Sequence, residues 1–196
     1  MKYLLSITVV GILFSSCGNN QNTQSTNVIE SEVIPDSVID LPKLQRNILG
    51  IKLGETGPTK VKKIMQSEGL TIFEEEDLLS GIGTFNFGGY DWDCILCNFK
   101  DDVAYDISLS KTVKGNEDYY NANLRELQWL QEKMLEKYPT YAVLQEEHMY
   151  TFVDGLTIVS VYGGNLDVEK KEANRWIRYT DDKLLNEKLQ DENNEL

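Results

Sequence analysis

Cys94 and Cys97 form a C-x-x-C, the motif in this chain that comes nearest to redox or metal chemistry. A redox pair needs its first thiol at a helix N-terminus, where the dipole lowers the thiol pKa. Here the flanks, YDWD before and NF after, read as strand. Residues three apart on a regular strand point to opposite faces, so these thiols could bond only across a bulge or turn. Zinc would ask for two further ligands, and the folded part offers one His and no further Cys. The spacing predicts two small buried side chains, with a disulfide across a local bulge as the alternative. No metal and no cofactor is expected.

The remaining candidates are weaker in pattern. His148 is the single histidine; it begins an expected strand beside Glu146 and Glu147, with no Gly-x-Ser-x-Gly and no second histidine to share acid–base work. Asp91 and Asp93 stand at i and i+2 on one strand, a spacing that can serve a metal or glycoside hydrolysis. Glu74 to Asp77 lack the alternating oxygens and the glycine of a calcium loop. Trp92, Trp129 and Trp176 are scattered over elements that should build core, with an aromatic platform for glycan or protein as the other use of such rings.

Those residues must be positioned by elements that the sequence punctuates clearly. Pro58 suits a first helical position and Gly69 the position past a helix end, with Val61, Ile64 and Met65 as the stripe between them. Strands are expected over TIFEEE, IGTFNFG, YDWDCILCNF and DVAYDISLS. In the last, Val103, Tyr105, Ile107 and Leu109 alternate with polar or small residues, which predicts one buried and one wet face. Leu124, Leu127, Leu130, Met134 and Tyr138 stripe a long helix that Pro139 stops. Strands resume over YAVLQE, HMYTFV, LTIVSVY and NRWIRYT, with Asp154-Gly155 as a two-residue hairpin turn and GGNLDVEKK as a loop. A polar helix closes the domain. The fold class is α+β: an antiparallel sheet with helices packed on one face, readable as two tandem α-β-β-β halves. The domain is expected over 44–190, with an acidic tail at 191–196.

The chain has 196 residues, 41% hydrophobic, enough for one real core, and a net charge of -13. That charge argues against nucleic acid or anionic lipid surfaces as partners, since both need basic patches. No apolar stretch reaches the ~20 residues of a membrane span. Met1-Lys2 followed by the apolar run Tyr3–Phe14 instead has the length of a secretory signal. It ends in Phe14-Ser15-Ser16-Cys17, and the uncharged tract GNNQNTQSTN follows.

Phe14-Ser15-Ser16-Cys17 resembles the lipobox of bacterial lipoproteins, with Phe14 where leucine is usual. The resemblance implies cleavage before Cys17, so that 1–16 is a signal peptide, and addition of diacylglycerol and an N-acyl chain (such as palmitate) to Cys17. Residues 17–43 then form a flexible tether. Gly18 stands where aspartate would retain a lipoprotein in the inner membrane, and no acid precedes Glu30. By the sorting rules of that family, this implies an outer-membrane protein, lipid-anchored and facing the periplasm. LGIKLGETGPTKVKKIMQSEGL, YTFVDGLTIVSV and RYTDDKLLNEK also resemble segments of small Bacteroidetes envelope lipoproteins. That likeness implies a compartment and an architecture but no mechanism. The expected role is a non-catalytic binding or interaction domain whose partner is another envelope component, a protein. The alternatives are an enzyme acting on envelope glycan through acids such as Asp91, Asp93 or Glu147, and an inhibitor or assembly-factor module.

Overall fold

The computed structural model describes residues 43–114 and 118–194. The expected signal peptide, Cys17 and the tether up to residue 42 lie outside them. The described residues belong to a compact unit that begins at Asp40.

Two short strands open it, β1 (Asn47–Ile48) and β2 (Ile51–Lys52), and their turn buries Ile48 and Ile51. Helix α1 (Pro58–Ser67) starts at its proline and ends where Gly69 takes a φ of +75°, a conformation that costs glycine nothing. Val61 and Met65 are buried along its stripe. Four strands follow as successive antiparallel hairpins: β3 (Thr71–Glu75), β4 (Leu78–Phe87), β5 (Tyr90–Lys100) and β6 (Val103–Lys114). Helix α2 (Tyr119–Lys137) ends before a 3₁₀ turn at Pro139–Tyr141. A second meander then runs through β7 (Ala142–Glu146), β8 (Met149–Val153), β9 (Thr157–Asp167) and β10 (Glu172–Asp181), and α3 (Asp182–Asn194) completes the unit. Helix therefore covers residues 191–194, which the sequence reading set apart as tail.

The eight main strands form one antiparallel sheet in the order β3-β4-β5-β6-β10-β9-β8-β7. The fold is α+β. Each half is a helix followed by four strands, one strand more than an α-β-β-β unit, and the last strands of the two halves pair at the centre.

Helices α1 and α2 lie on one face. Cross-strand partners point to the same side of a sheet. Gly81, Ile95, Leu109 and Ile177 are such a row. A Cβ on Gly81 would sit 3.2 Å from Met65 of α1. Arg175, two residues from Ile177, bonds Asn123 of α2. Helix α1 covers β3 and β4, whereas α2 covers β6, β9 and β10.

The structure departs from the expectations in three strands. First, β6 is buried on both sides from Ala104 to Ser110. Ser108 is flanked by Leu96 and Arg178, and Ser110 by Cys94 and Trp176, so larger neighbours shade the small hydroxyls of a central strand. Asp106, 1% exposed, accepts bonds from Arg178 Nε (2.5 Å), Thr180 Oγ1 (2.7 Å) and Asn98 Nδ2 (3.2 Å). Second, the turn at Asp154-Gly155 is longer than two residues, because Val153 pairs with Ile158. Asp154 Oδ1 accepts from the backbone of Leu156 and Thr157, and Oδ2 from Leu44, so one carboxylate both shapes the turn and holds the chain entering the domain. Third, Gly163 to Asp167 are strand rather than loop, because β9 stays paired with β10 across a bulge near Asn174.

Candidate functional site

Helix α2 carries two rows of side chains. Leu127 and Leu130 are buried against the sheet. Trp129, Lys133 and Lys137 recur every four residues and so share an adjoining ridge. Trp129 is 42% exposed, a large apolar ring left open to solvent. Opposite the ridge stands the β4–β5 hairpin. Its turn, Gly88-Gly89, has φ of +67° and +78°, the two positive values that a tight two-residue turn requires. The turn sets Phe87 directly across from Tyr90.

A groove of about 260 Å³ opens between ridge and hairpin, floored by Trp92, Leu130, Met134, Ile177 and Tyr179, with Gln45 at its rim. Aromatic contacts hold its walls. Tyr90 stacks on Trp129 with ring centres 5.9 Å apart and meets Trp92 edge-on at 4.9 Å, while Phe87 meets Tyr179 edge-on at 6.3 Å. Trp92 is buried, and its Nε1 donates to the Phe87 carbonyl at 3.2 Å. Burial pushes the Tyr179 hydroxyl well above the usual phenol range.

The far end of Tyr90 is fixed by a buried cation. Arg175, 1% exposed, donates to the Tyr90 hydroxyl, to Glu126 and, at 3.0 Å, to Asn123 Oδ1. Its guanidinium also lies 5.2 Å from the Tyr90 ring centre. Desolvation pushes Arg175 down to about 10. Desolvation also raises the Glu126 carboxyl, with Lys111 and Arg125 pulling the other way. Burial thus presses both partners towards their neutral forms.

The groups lining this groove offer stacking, apolar contact and two ammonium groups. No Asp, Glu, His, Ser or Cys is among the described residues that line it.

Of the residues singled out from the sequence, Trp92 and Trp129 meet at this groove, Trp92 as core and Trp129 exposed rather than buried; the others lie elsewhere and do not converge. Cys94 and Cys97 are free thiols on β5. Cys94 is half-buried beside Ser110 and Cys97 is fully buried beside Leu79 and Ile107. Burial raises both thiols, Cys97 the more. Among the described residues, no group of three or more His, Cys, Asp or Glu is placed to hold a metal ion. His148 sits in the turn between β7 and β8 rather than on a strand, because β8 starts only at Met149. Its side chain is half-exposed, 3.9 Å from Glu147. Asp91 accepts from Asn86 at 2.9 Å, while Asp93 accepts from Lys111 Nζ at 2.7 Å and Thr112 N at 3.1 Å. The two carboxylates therefore serve different neighbours. Glu74 pairs with Lys62 of α1 at 2.5 Å. Trp176 stacks on Tyr162 with centres 6.5 Å apart on the half-exposed face away from α1 and α2.

Tyr90, Glu126, Lys133, Lys137 and Arg175 were not legible as a set. The one local signal was Trp129-x₃-Lys133-x₃-Lys137, an aromatic and two cations in register beside a buried stripe. No protein-family model matches this chain, and no curated protein or solved structure matches it.

Proposed function

We propose that this chain is an envelope lipoprotein whose domain is a non-catalytic binding module for another envelope protein. Cys17 is its acylated residue, and the outer membrane, on the periplasmic side, is its location. The observation that carries the binding role is the open aromatic groove beside α2, with Trp129 held half-exposed by Tyr90. Exposed Trp and Tyr in a walled groove are the residue types that dominate binding energy in protein interfaces. The anchor rests on the residues around Cys17, and acylation there would exceed the two signals that stable attachment needs.

Two experiments in a lipoprotein-processing bacterium test this reading. Cys17→Ala should abolish incorporation of labelled palmitate and move the protein out of the membrane fraction; a variant that stayed membrane-bound and lipid-labelled would refute the anchor. A photocrosslinking residue in place of Trp129 should give a discrete protein adduct, and one in place of Ser160 on the opposite face should not. Adducts from position 160 alone would refute the groove as the binding site.

A further inference from the structure

We propose that the groove binds an extended acidic peptide that carries a large apolar anchor side chain. The inference rests on the reading of the groove as a binding site and adds the chemistry of what enters it. Its basis is a local inversion of charge. The chain as a whole has 32 acidic and 19 basic residues, yet the groove is lined by Lys133 and Lys137 and by no described acid.

Trp129, Lys133 and Lys137 span a ridge of ~12 Å along α2. One end is an indole over an apolar floor; the other two positions are ammonium groups. Lys133 pairs with Glu136 on the exposed side of the helix at 2.6 Å. Lys137 makes no ion pair among the described residues and lies 4.9 Å over the Tyr138 ring. A chain laid along this ridge would place its apolar side chain among Phe87, Trp92 and Trp129, and its carboxylates at Lys133 and Lys137.

Other ligand chemistries fit less well. A cationic ligand, which stacked rings otherwise favour, meets two like charges here. A saccharide needs several fixed polar partners for its hydroxyls, and the lining supplies the Gln45 amide and tyrosine hydroxyls. The apolar floor suits an aliphatic or aromatic side chain, and a volume of about 260 Å³ holds one large side chain with some of its backbone.

The test uses the full chain and three probes: a short synthetic peptide of one phenylalanine followed by glutamates, the same peptide with lysines for the glutamates, and a chitin oligosaccharide. Binding is read by tryptophan fluorescence and by calorimetry. The glutamate peptide should bind at least roughly tenfold more tightly than the lysine peptide. A Lys133→Glu, Lys137→Glu double variant should reverse that order, and Trp129→Ala should weaken both peptides by roughly tenfold or more. Both lysines are exposed, so the double variant should keep its circular dichroism, with an unfolding midpoint lowered only slightly by loss of the Lys133–Glu136 pair and of the basic last turn of α2. Equal binding of the two peptides, or no reversal in a folded double variant, overturns the proposal. So does binding of the oligosaccharide in preference to both, or self-association of the protein that is lost on Trp129→Ala. In each of these cases the crosslink from position 129 still forms if the groove is a binding site, and its absence would remove that reading as well.

Discussion

Replacing Arg175 with methionine separates two views of the buried cation behind the groove. Burial lowers the guanidinium from an ordinary 12.5 to about 10. At about 1.4 kcal/mol per pKa unit, keeping it charged at neutral pH costs on the order of 3 kcal/mol. Against this stand its bonds to Asn123, Glu126 and Tyr90. Hydrogen bonds to a charged group contribute about 1.5–3 kcal/mol each at best. The Glu126 bond is worth less than that, because its side chain is 47% exposed and screened by water. The two sides are therefore comparable. Methionine fills the space of the arginine stem and asks for no partner. It orphans Asn123 Oδ1, since buried Asn123 keeps only its Nδ2 bond to the Asn174 carbonyl at 3.2 Å. That loss costs about 1–2 kcal/mol. Glu126 and the Tyr90 hydroxyl line an open cleft and can turn to water. Arg175→Met should thus fall within about 2 kcal/mol of the parent in urea unfolding followed by fluorescence and circular dichroism. Arg175→Ala loses the same bonds and also leaves a cavity, a further cost of about 2–5 kcal/mol. If methionine proves as damaging as alanine, the ion pair itself holds β10 to α2 and the reasoning is wrong.

Three further predictions follow from burial and close approach. Gly81→Ala should destabilise by about 1–3 kcal/mol, since its Cβ would meet Leu70 at 2.9 Å, Ile95 at 3.0 Å and Met65 at 3.2 Å; an unchanged unfolding midpoint would show that α1 can slide. Glu126, raised by burial above its ordinary 4.5, favours the folded state below that pH, and the contribution is lost as pH rises through the raised value. The parent should therefore lose stability relative to Glu126→Gln as pH climbs from about 4 to 7, and parallel urea midpoints would contradict the shift. In a Cys17→Ser chain, Cys94 should alkylate slowly and Cys97 only on unfolding, because burial disfavours both thiolates; mass spectrometry showing rapid double labelling, or a 94–97 disulfide under mild oxidant, would overturn this.

Much of the fold is local and was legible in the residues. Pro58 and Gly69 bound α1, and Pro139 stops α2, through backbone rules that act within a few positions. Alternation located the strands because side-chain direction on a strand has a period of two. The opposite facing of Cys94 and Cys97 follows from the same period, and with it the expectation of two unbonded thiols. Where neighbours decide, local rules failed. Asp106 reads as a wet-face residue in DVAYDISLS but is enclosed by Asn98, Arg178 and Thr180, which other strands bring to it. Gly163 to Asp167 read as loop, but the partner strand β10 keeps them extended.

The sequence by itself determined the helices, the positions of most strands and the α+β class, because hydrophobic period, proline and glycine act along a few residues of chain. It also placed Cys17 at the end of an apolar run, which is why an anchor could be proposed. The groove belongs to the tertiary structure alone. Phe87 and Tyr90 come from a hairpin in the first half, Trp129, Lys133 and Lys137 from α2, and Ile177 and Tyr179 from β10. They meet because β6 pairs with β10 across the middle of the sheet, and because α2 packs over β6, β9 and β10. Strand pairing between distant segments is set by the packing of the whole core, and no periodicity within one segment can reveal it.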